Sequence, residues 1–219
     1  LPPPPPPPLP PPPPPQVQKT KFWAETKDFY GLDLTCLQEQ AKADHMSQPV
    51  VSYISDSILL SDERVTHKID FQKDTVEDLA EITVPFRFTI TRTELMHGLA
   101  SWFDVDFKGT DAPTTLSTAP TAPGTHWYQC RLMLKEPIAV NAGQVVSGSL
   151  HMKVNKKFSY DIVLTVNLEG TAVTSTNRIN LHDQMYHYLS STASATPAAG
   201  TDGSYAGYGT GYGTNSYGY

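Results

Sequence analysis

A histidine and a tryptophan stand side by side in Thr125-His126-Trp127-Tyr128-Gln129-Cys130, directly after the Pro/Gly-rich stretch Ala119-Pro120-Thr121-Ala122-Pro123-Gly124. An imidazole titrates near neutrality and can hold or pass a proton, and an indole face attracts a cation. Prolines leave the backbone few states to lose, so this loop can keep the residues after it in a fixed place. His126 and Trp127 are therefore candidates for the mouth of a pocket that handles a proton or a cationic group. The same pair also fits a tryptophan packed on a sheet edge beside a solvated histidine, and taken alone the hexapeptide favours that plainer arrangement. Little else in the chain carries chemistry by spacing. No GxGxxG follows a strand, and neither GxxxxGK[ST] nor GxSxG occurs. His182 and His187 are five apart, a poor ligand spacing, so no metal site is expected. His97, beside Gly98 at a strand entrance, reads as structural, and the acidic residues occur singly rather than as a catalytic pair. A self-sufficient active site is not visible.

The elements that must hold His126 and Trp127 are strands. Residues 128–134 continue from the loop as an alternation, and a period of two recurs along residues 65–168. Ile82, Val84, Phe86, Phe88 and Ile90 share one face, with Thr83, Arg87 and Thr89 on the other. Pro85 within that run predicts an edge position or a bulge. Leu99, Ser101, Phe103, Val105 and Phe107 alternate with Trp102, Asp104 and Asp106; Val146, Leu150, Met152 and Val154 form another face, and Tyr160, Ile162, Leu164, Val166 and Leu168 a further one. Lys108-Gly109, Asn141-Ala142-Gly143 and Asn155-Lys156-Lys157 punctuate them as turns. Thr75 and Asp78 have capping-box spacing for one short helix. Strands joined by turns with almost no interleaved helix predict a mainly β fold, an antiparallel β-barrel or sandwich over residues 50–189.

Ahead of it, residues 21–49 form a short helical arm. Phe22, Trp23, Phe29, Tyr30 and Leu32 make an aromatic loop, Asp33 is placed to cap a helix over residues 34–46, and Pro49 closes the segment. Leu34, Leu37 and Ala41 give that helix a narrow apolar stripe. One short helix cannot cover all those aromatics, so they need a partner surface, in this chain or another. Composition sets off both ends. Residues 1–20 hold most of the 20 prolines and predict a disordered polyproline II rod, a spacer or a ligand for SH3, WW or profilin-type grooves. Residues 190–219 are small, polar and Tyr/Gly-rich and are expected to be disordered. A net charge of −6 argues against direct nucleic-acid binding. No apolar run is long enough to span a membrane as a helix. Cys36 and Cys130 belong to no ligand-spaced group and read as free thiols. The first residue is Leu1, so a longer parent protein is expected.

In order along the chain, Phe29-Tyr30-Gly31-Leu32-Asp33-Leu34, Gln48-Pro49-Val50-Val51, His97-Gly98-Leu99-Ala100-Ser101-Trp102-Phe103-Asp104-Val105, Leu116-Ser117-Thr118-Ala119-Pro120, Thr125-His126-Trp127-Tyr128-Gln129 and Ser159-Tyr160-Asp161-Ile162 resemble the C-terminal barrel of type I protein arginine methyltransferases. The coactivator-associated, histone-directed branch is the most similar, over residues 22–189. The resemblance implies a two-part enzyme that transfers a methyl group from S-adenosylmethionine to an arginine guanidinium of a histone or other protein, giving asymmetric dimethylarginine. His126 would hydrogen-bond an acid of the cofactor domain and Trp127 would shape the arginine channel. Phe22, Trp23, Phe29, Tyr30, Leu34 and Leu37 would belong to the dimerisation arm. Placement in nucleus and cytoplasm follows from the family.

The departures weigh as much. No glycine-rich cofactor loop and no pair of catalytic glutamates precede the arm in this sequence. His45-Met46 stand where the branch has two aromatics, and Ser52 stands where an acid is common. The chain by itself is therefore expected neither to bind S-adenosylmethionine nor to methylate arginine, and not to form the family's ring dimer, although it could associate with a homologous methyltransferase subunit. The alternative is a non-catalytic interaction module, a barrel between polyproline and Tyr/Gly tails.

Overall fold

The structure is a computed structural model that describes residues 25–109 and 112–186. The polyproline tract, the Tyr/Gly tail, Phe22 and Trp23 lie outside the described residues. A 3-10 turn at Glu25–Asp28 and another at Thr35–Leu37 lead into helix α1, Gln38–Met46. Strand β1 is Val50–Ser52, and a short helix α2 at Val76–Ala80 precedes β2, Glu81–Thr89. Then follow β3 (Glu94–Ser101), β4 (Asp104–Lys108), β5 (Pro113–Ser117), β6 (Gln129–Val140), β7 (Val145–Val154), β8 (Tyr160–Leu168), β9 (Thr174–Asn180) and β10 (Met185–Tyr186).

The strands form two four-stranded sheets, β10-β1-β6-β3 and β2-β7-β8-β9, and the hairpin β4-β5. Every pairing is antiparallel except the short parallel contact of β1 with β10. This is the mainly β architecture expected; among the described residues the two sheets pack as a sandwich rather than closing into one hydrogen-bonded barrel. The alternating apolar faces make the core between them. Phe86, Ile90, Leu132, Leu134, Val146, Leu164, Val166 and Ile179 are all buried there. At one seam Asn177 joins the layers: its Nδ2 donates to Met133 O in β6 (2.9 Å) and to Met46 O at the end of α1 (2.7 Å). A buried amide with both hydrogens used holds three elements in one register.

Local chemistry accounts for the breaks. Thr75 Oγ1 accepts from Asp78 N while Asp78 Oδ2 accepts from Thr75 N, the reciprocal cap that starts α2. Pro85 lies on β2, an outer strand of its sheet, where a missing amide costs least. Between β3 and β6 the register jumps, Met96 facing Ile138 but Gly98 facing Met133, so residues 134–137 bulge opposite His97 and take Pro137 out of the ladder.

Five expectations need correction. The alternation through Leu99 to Phe107 is not one strand: the chain breaks at Trp102-Phe103 and passes from β3 into the separate hairpin, because Thr118 captures the Phe103 backbone. The segment after the His-Trp pair starts at Gln129 and continues to Val140, beyond 134, because β3 and β1 give it partners on both sides. The sheet signal read from residue 65 begins only at Glu81. The helix of the arm begins at Gln38, since Asp33 accepts from Thr35 N (2.9 Å) and Thr35 Oγ1 (2.6 Å) and so bounds a 3-10 turn. Its buried residue is Met46, not the Leu34, Leu37 and Ala41 stripe.

Candidate functional site

Beside the start of β6 lies a cleft of about 430 Å³ lined by Val51, Phe103, His126, Trp127, Tyr128, Gln184 and Tyr186. Four separate stretches of chain meet there, and buried polar groups hold them together. Gln129 is 7% exposed; its Oε1 accepts from Ile54 N (2.8 Å) and its Nε2 donates to Thr118 O (2.9 Å). Thr118, 1% exposed, closes a backbone ring with Phe103: Thr118 Oγ1 donates to Phe103 O (2.7 Å) and accepts from Phe103 N (3.1 Å), and Thr118 N also donates to Phe103 O (3.1 Å). The far wall is set by β1, which pairs with Gln129–Arg131 on one side and with Met185–Tyr186 on the other, where Met185 N donates to Pro49 O (2.8 Å).

The His-Trp pair stands on this frame. Trp127 N donates to Thr125 Oγ1 (3.3 Å), and Tyr128 takes φ 51°, a left-handed backbone that costs a bulky residue free energy and turns the loop sharply into β6. The Phe103 ring meets the Trp127 ring edge-on, with centroids 6.1 Å apart, so the indole is braced from one side while remaining 56% exposed. His126 is exposed at the same rim. Both residues, candidates for a pocket mouth from the sequence although the hexapeptide alone favoured plain sheet-edge packing, line the cleft together with Phe103, Val51, Gln184 and Tyr186, which the sequence had not joined to them. The Leu116 to Pro120 motif was the signal for Thr118; Gln184 and Tyr186 carry no local signal, because two-residue β10 has no periodicity.

The strands that carry the cleft also hold, outside its lining, buried polar atoms without partners. The Arg131 guanidinium is half-buried, its Nη2 donates to Tyr53 O (3.2 Å), and its Nε is buried with no partner, as is Ser52 Oγ. Burial pulls the Arg131 pKa down from its ordinary value. Burial likewise pushes the Cys130 thiol up to about 11, against a hydrogen bond from Ser101, so it stays protonated and unreactive. Among the described residues no group of three or more His, Cys, Asp or Glu could hold a metal ion. The cleft lining offers an imidazole, two phenols, an indole and an amide, a set suited to a cationic or planar polar group and without any carboxylate.

The arm residues lie elsewhere. Phe29 and Tyr30 pack edge-to-face (4.9 Å) but point outward, 49% and 93% exposed, and Leu37 is 51% exposed; Leu34 is half-buried. Tyr30 has φ 53° beside Gly31 at φ 83°, a tight turn closed by Gly31 N donating to Asp28 Oδ1 (2.9 Å).

Comparison with known proteins agrees with this architecture. Residues 16–171 match the arginine methyltransferase oligomerization subdomain. The histone-arginine methyltransferases CARMER of Drosophila willistoni and Drosophila ananassae are 37% and 38% identical over 186 residues, 85% of this chain. The chain spans only about a third of their length, 34% and 35%. Among solved structures, the fold is similar to that of the Trypanosoma brucei PRMT1 enzyme-prozyme heterotetrameric complex with AdoHcy (TM-score 0.61, 21% identity, 76% of this chain and 52% of that one). It is also similar to Arabidopsis thaliana protein arginine methyltransferase 10 (TM-score 0.55, 19% identity, 75% and 53%). The chain belongs to the arginine methyltransferase family, in which it corresponds to the oligomerization subdomain.

Proposed function

We propose that this chain supplies the substrate-side wall and the subunit-docking arm of a histone- or protein-arginine methyltransferase. The methyl donor would be S-adenosylmethionine and the product asymmetric dimethylarginine, with action in nucleus and cytoplasm. The observation that carries the reading is the Trp127 indole, braced by Phe103 and left open beside His126 at the cleft rim. An indole face and phenols can line a channel for a guanidinium, and His126 is free to take a carboxylate of the cofactor domain. Residues 50–189 form the wall, and residues 21–49 the arm, with Phe22, Trp23, Phe29, Tyr30, Leu34 and Leu37 as its contacts.

The cofactor itself is another matter. Among the described residues no glycine-rich turn leads from a parallel strand into a helix, and the cleft has no acid for a ribose. The lining does not fit a nucleoside by itself.

Two measurements test the reading. Isothermal titration of the purified chain with S-adenosylhomocysteine is expected to give no heat; saturable binding would mean that a cofactor site lies in the chain itself. Joined in frame behind the cofactor domain of a histone-arginine methyltransferase relative, the chain is expected to restore methylation of a histone peptide. In that fusion Trp127→Ala should lower kcat/KM on the order of a hundred-fold, as misplacement of a reacting group does. Full activity of the Trp127→Ala fusion would remove this residue from the channel. The exposed Phe29, Tyr30 and Leu37 also favour the second reading, a non-catalytic module that joins a homologous methyltransferase subunit.

A further inference from the structure

At the far end of the second sheet, the β7–β8 hairpin turns through Asn155-Lys156-Lys157-Phe158-Ser159. Asn155 organises it: its Oδ1 accepts from Lys157 N (2.9 Å) and Ser159 N (3.2 Å), its backbone N donates to Ser159 O (2.8 Å), and its Nδ2 donates to Asp161 Oδ1 (3.0 Å). Phe158 sits at φ 57°, in the left-handed position that hairpin loops of this kind ordinarily give to glycine or asparagine. A bulky aromatic there is strained, and this one gains nothing from packing, since it is fully exposed at 101%. Two unfavourable terms, backbone strain and a bare ring in water, fall on one residue at the tip of a well-ordered hairpin.

The charges around it are uneven. Three acids at this end are engaged, Glu81 with His151 (2.7 Å) and Lys153 (3.7 Å), Asp78 in the cap of α2, and Asp161 with Asn155, while Glu77 of α2 is exposed to solvent. Lys156 and Lys157 form no ion pair among the described residues. Helix α2 flanks the same end, tied there by Tyr160 Oη donating to Leu79 O (2.7 Å), and carries Val76, 80% exposed.

We propose that this hairpin tip is a docking finger for a short acidic segment of a partner protein, with Phe158 as the apolar anchor and Lys156 and Lys157 as the flanking charges. An aromatic anchor directly after two cations that form no ion pair is the complement of an apolar side chain beside acids. The occupant is a short peptide segment rather than a long polyanion, because the chain's net charge of −6 repels an extended anionic surface while two adjacent lysines attract a local one. The inference is independent of the methyltransferase reading, since the tip shares no residue with the cleft.

The test uses the full chain and a fluorescent peptide of alternating Glu and Phe, with a Glu/Ser peptide, a Lys/Phe peptide, duplex DNA and phosphatidylserine vesicles alongside. The Glu/Phe peptide is expected to bind in a salt-sensitive manner and the Lys/Phe peptide not to. Phe158→Gly should weaken that binding about ten-fold or more while leaving the melting temperature unchanged or higher, because the strain is relieved. Lys156→Glu with Lys157→Glu should abolish the salt-sensitive part. Unchanged peptide binding in Phe158→Gly, or tip-dependent binding of the duplex or vesicles in place of the peptide, would overturn the proposal.

Discussion

Gln129 buries an amide next to the cleft and uses both ends, accepting from Ile54 N and donating to Thr118 O. Gln129→Leu keeps the volume but strands those two backbone groups away from water. Each stranded group costs about 1–3 kcal/mol, so a large fall in the urea midpoint is expected, together with a red shift of Trp127 emission as the rim loosens. A midpoint unchanged from wild type would show that neither bond restrains the site. His97 gives the pH dependence. Its pKa is lowered by burial, against a smaller opposing pull from Glu94, and its Nδ1 is buried without a partner. The folded state therefore binds this proton less readily than the unfolded chain. The stability due to neutral His97 is complete above the unfolded value of about 6.5 and is lost as pH falls from there through the folded value. Denaturation midpoints should accordingly rise with pH across that window, and His97→Gln should flatten the rise. An equal slope in the variant would assign the effect to other groups.

Gly98 and Gly148 show what the strands demand of each other. A Cβ on Gly148 would run into Thr165 O of β8 and lie 2.7 Å from the Phe86 ring, and one on Gly98 would run into Leu132 O of β6. Backbone cannot yield as a flexible side chain can. Gly148→Ala is thus expected to lose about 1–3 kcal/mol through overpacking, read as a lower urea midpoint; Gly143→Ala, at φ 81° in open space, tests strain without a clash. A Gly148→Ala protein as stable as wild type would mean that β7 can slide relative to β8. The β3–β6 bulge belongs to the same scale. It places Pro137 where no amide is needed and frees β6 to resume pairing at Gly98, which brings Ser101 and Cys130 into register just before the cleft.

At the scale of the whole molecule, uncovered apolar side chains are spread over the described residues, Phe71, Val76 and Phe158 among them, and the arm contributes Tyr30, Leu32 and Leu37, each more than half exposed. Tyr30→Asp with Leu37→Asp should leave the urea midpoint within about 0.5 kcal/mol of wild type, as exposed substitutions do, while abolishing co-sedimentation with a homologous arginine methyltransferase subunit. Retained association would move the docking surface away from the arm. How much of this was legible follows from range. The paired faces of β2, β7 and β8, the cap of α2 and the turns between strands depend on residues within a few positions of one another, and they were readable in order. The His126-Trp127 pair stood out only as a candidate, from the proline-rich loop before it and the strand after it, since the hexapeptide alone favours a packed sheet edge. What only the tertiary structure decided is the company the pair keeps. Phe103 turns out of line because Thr118 takes its backbone, and Val51 and Tyr186 reach the cleft on strands of three and two residues, too short to show any period. The sequence by itself determined the long strands β2, β7 and β8, since their alternation is local. The cleft arises from pairings between segments far apart in the chain, which only the folded sheets bring together.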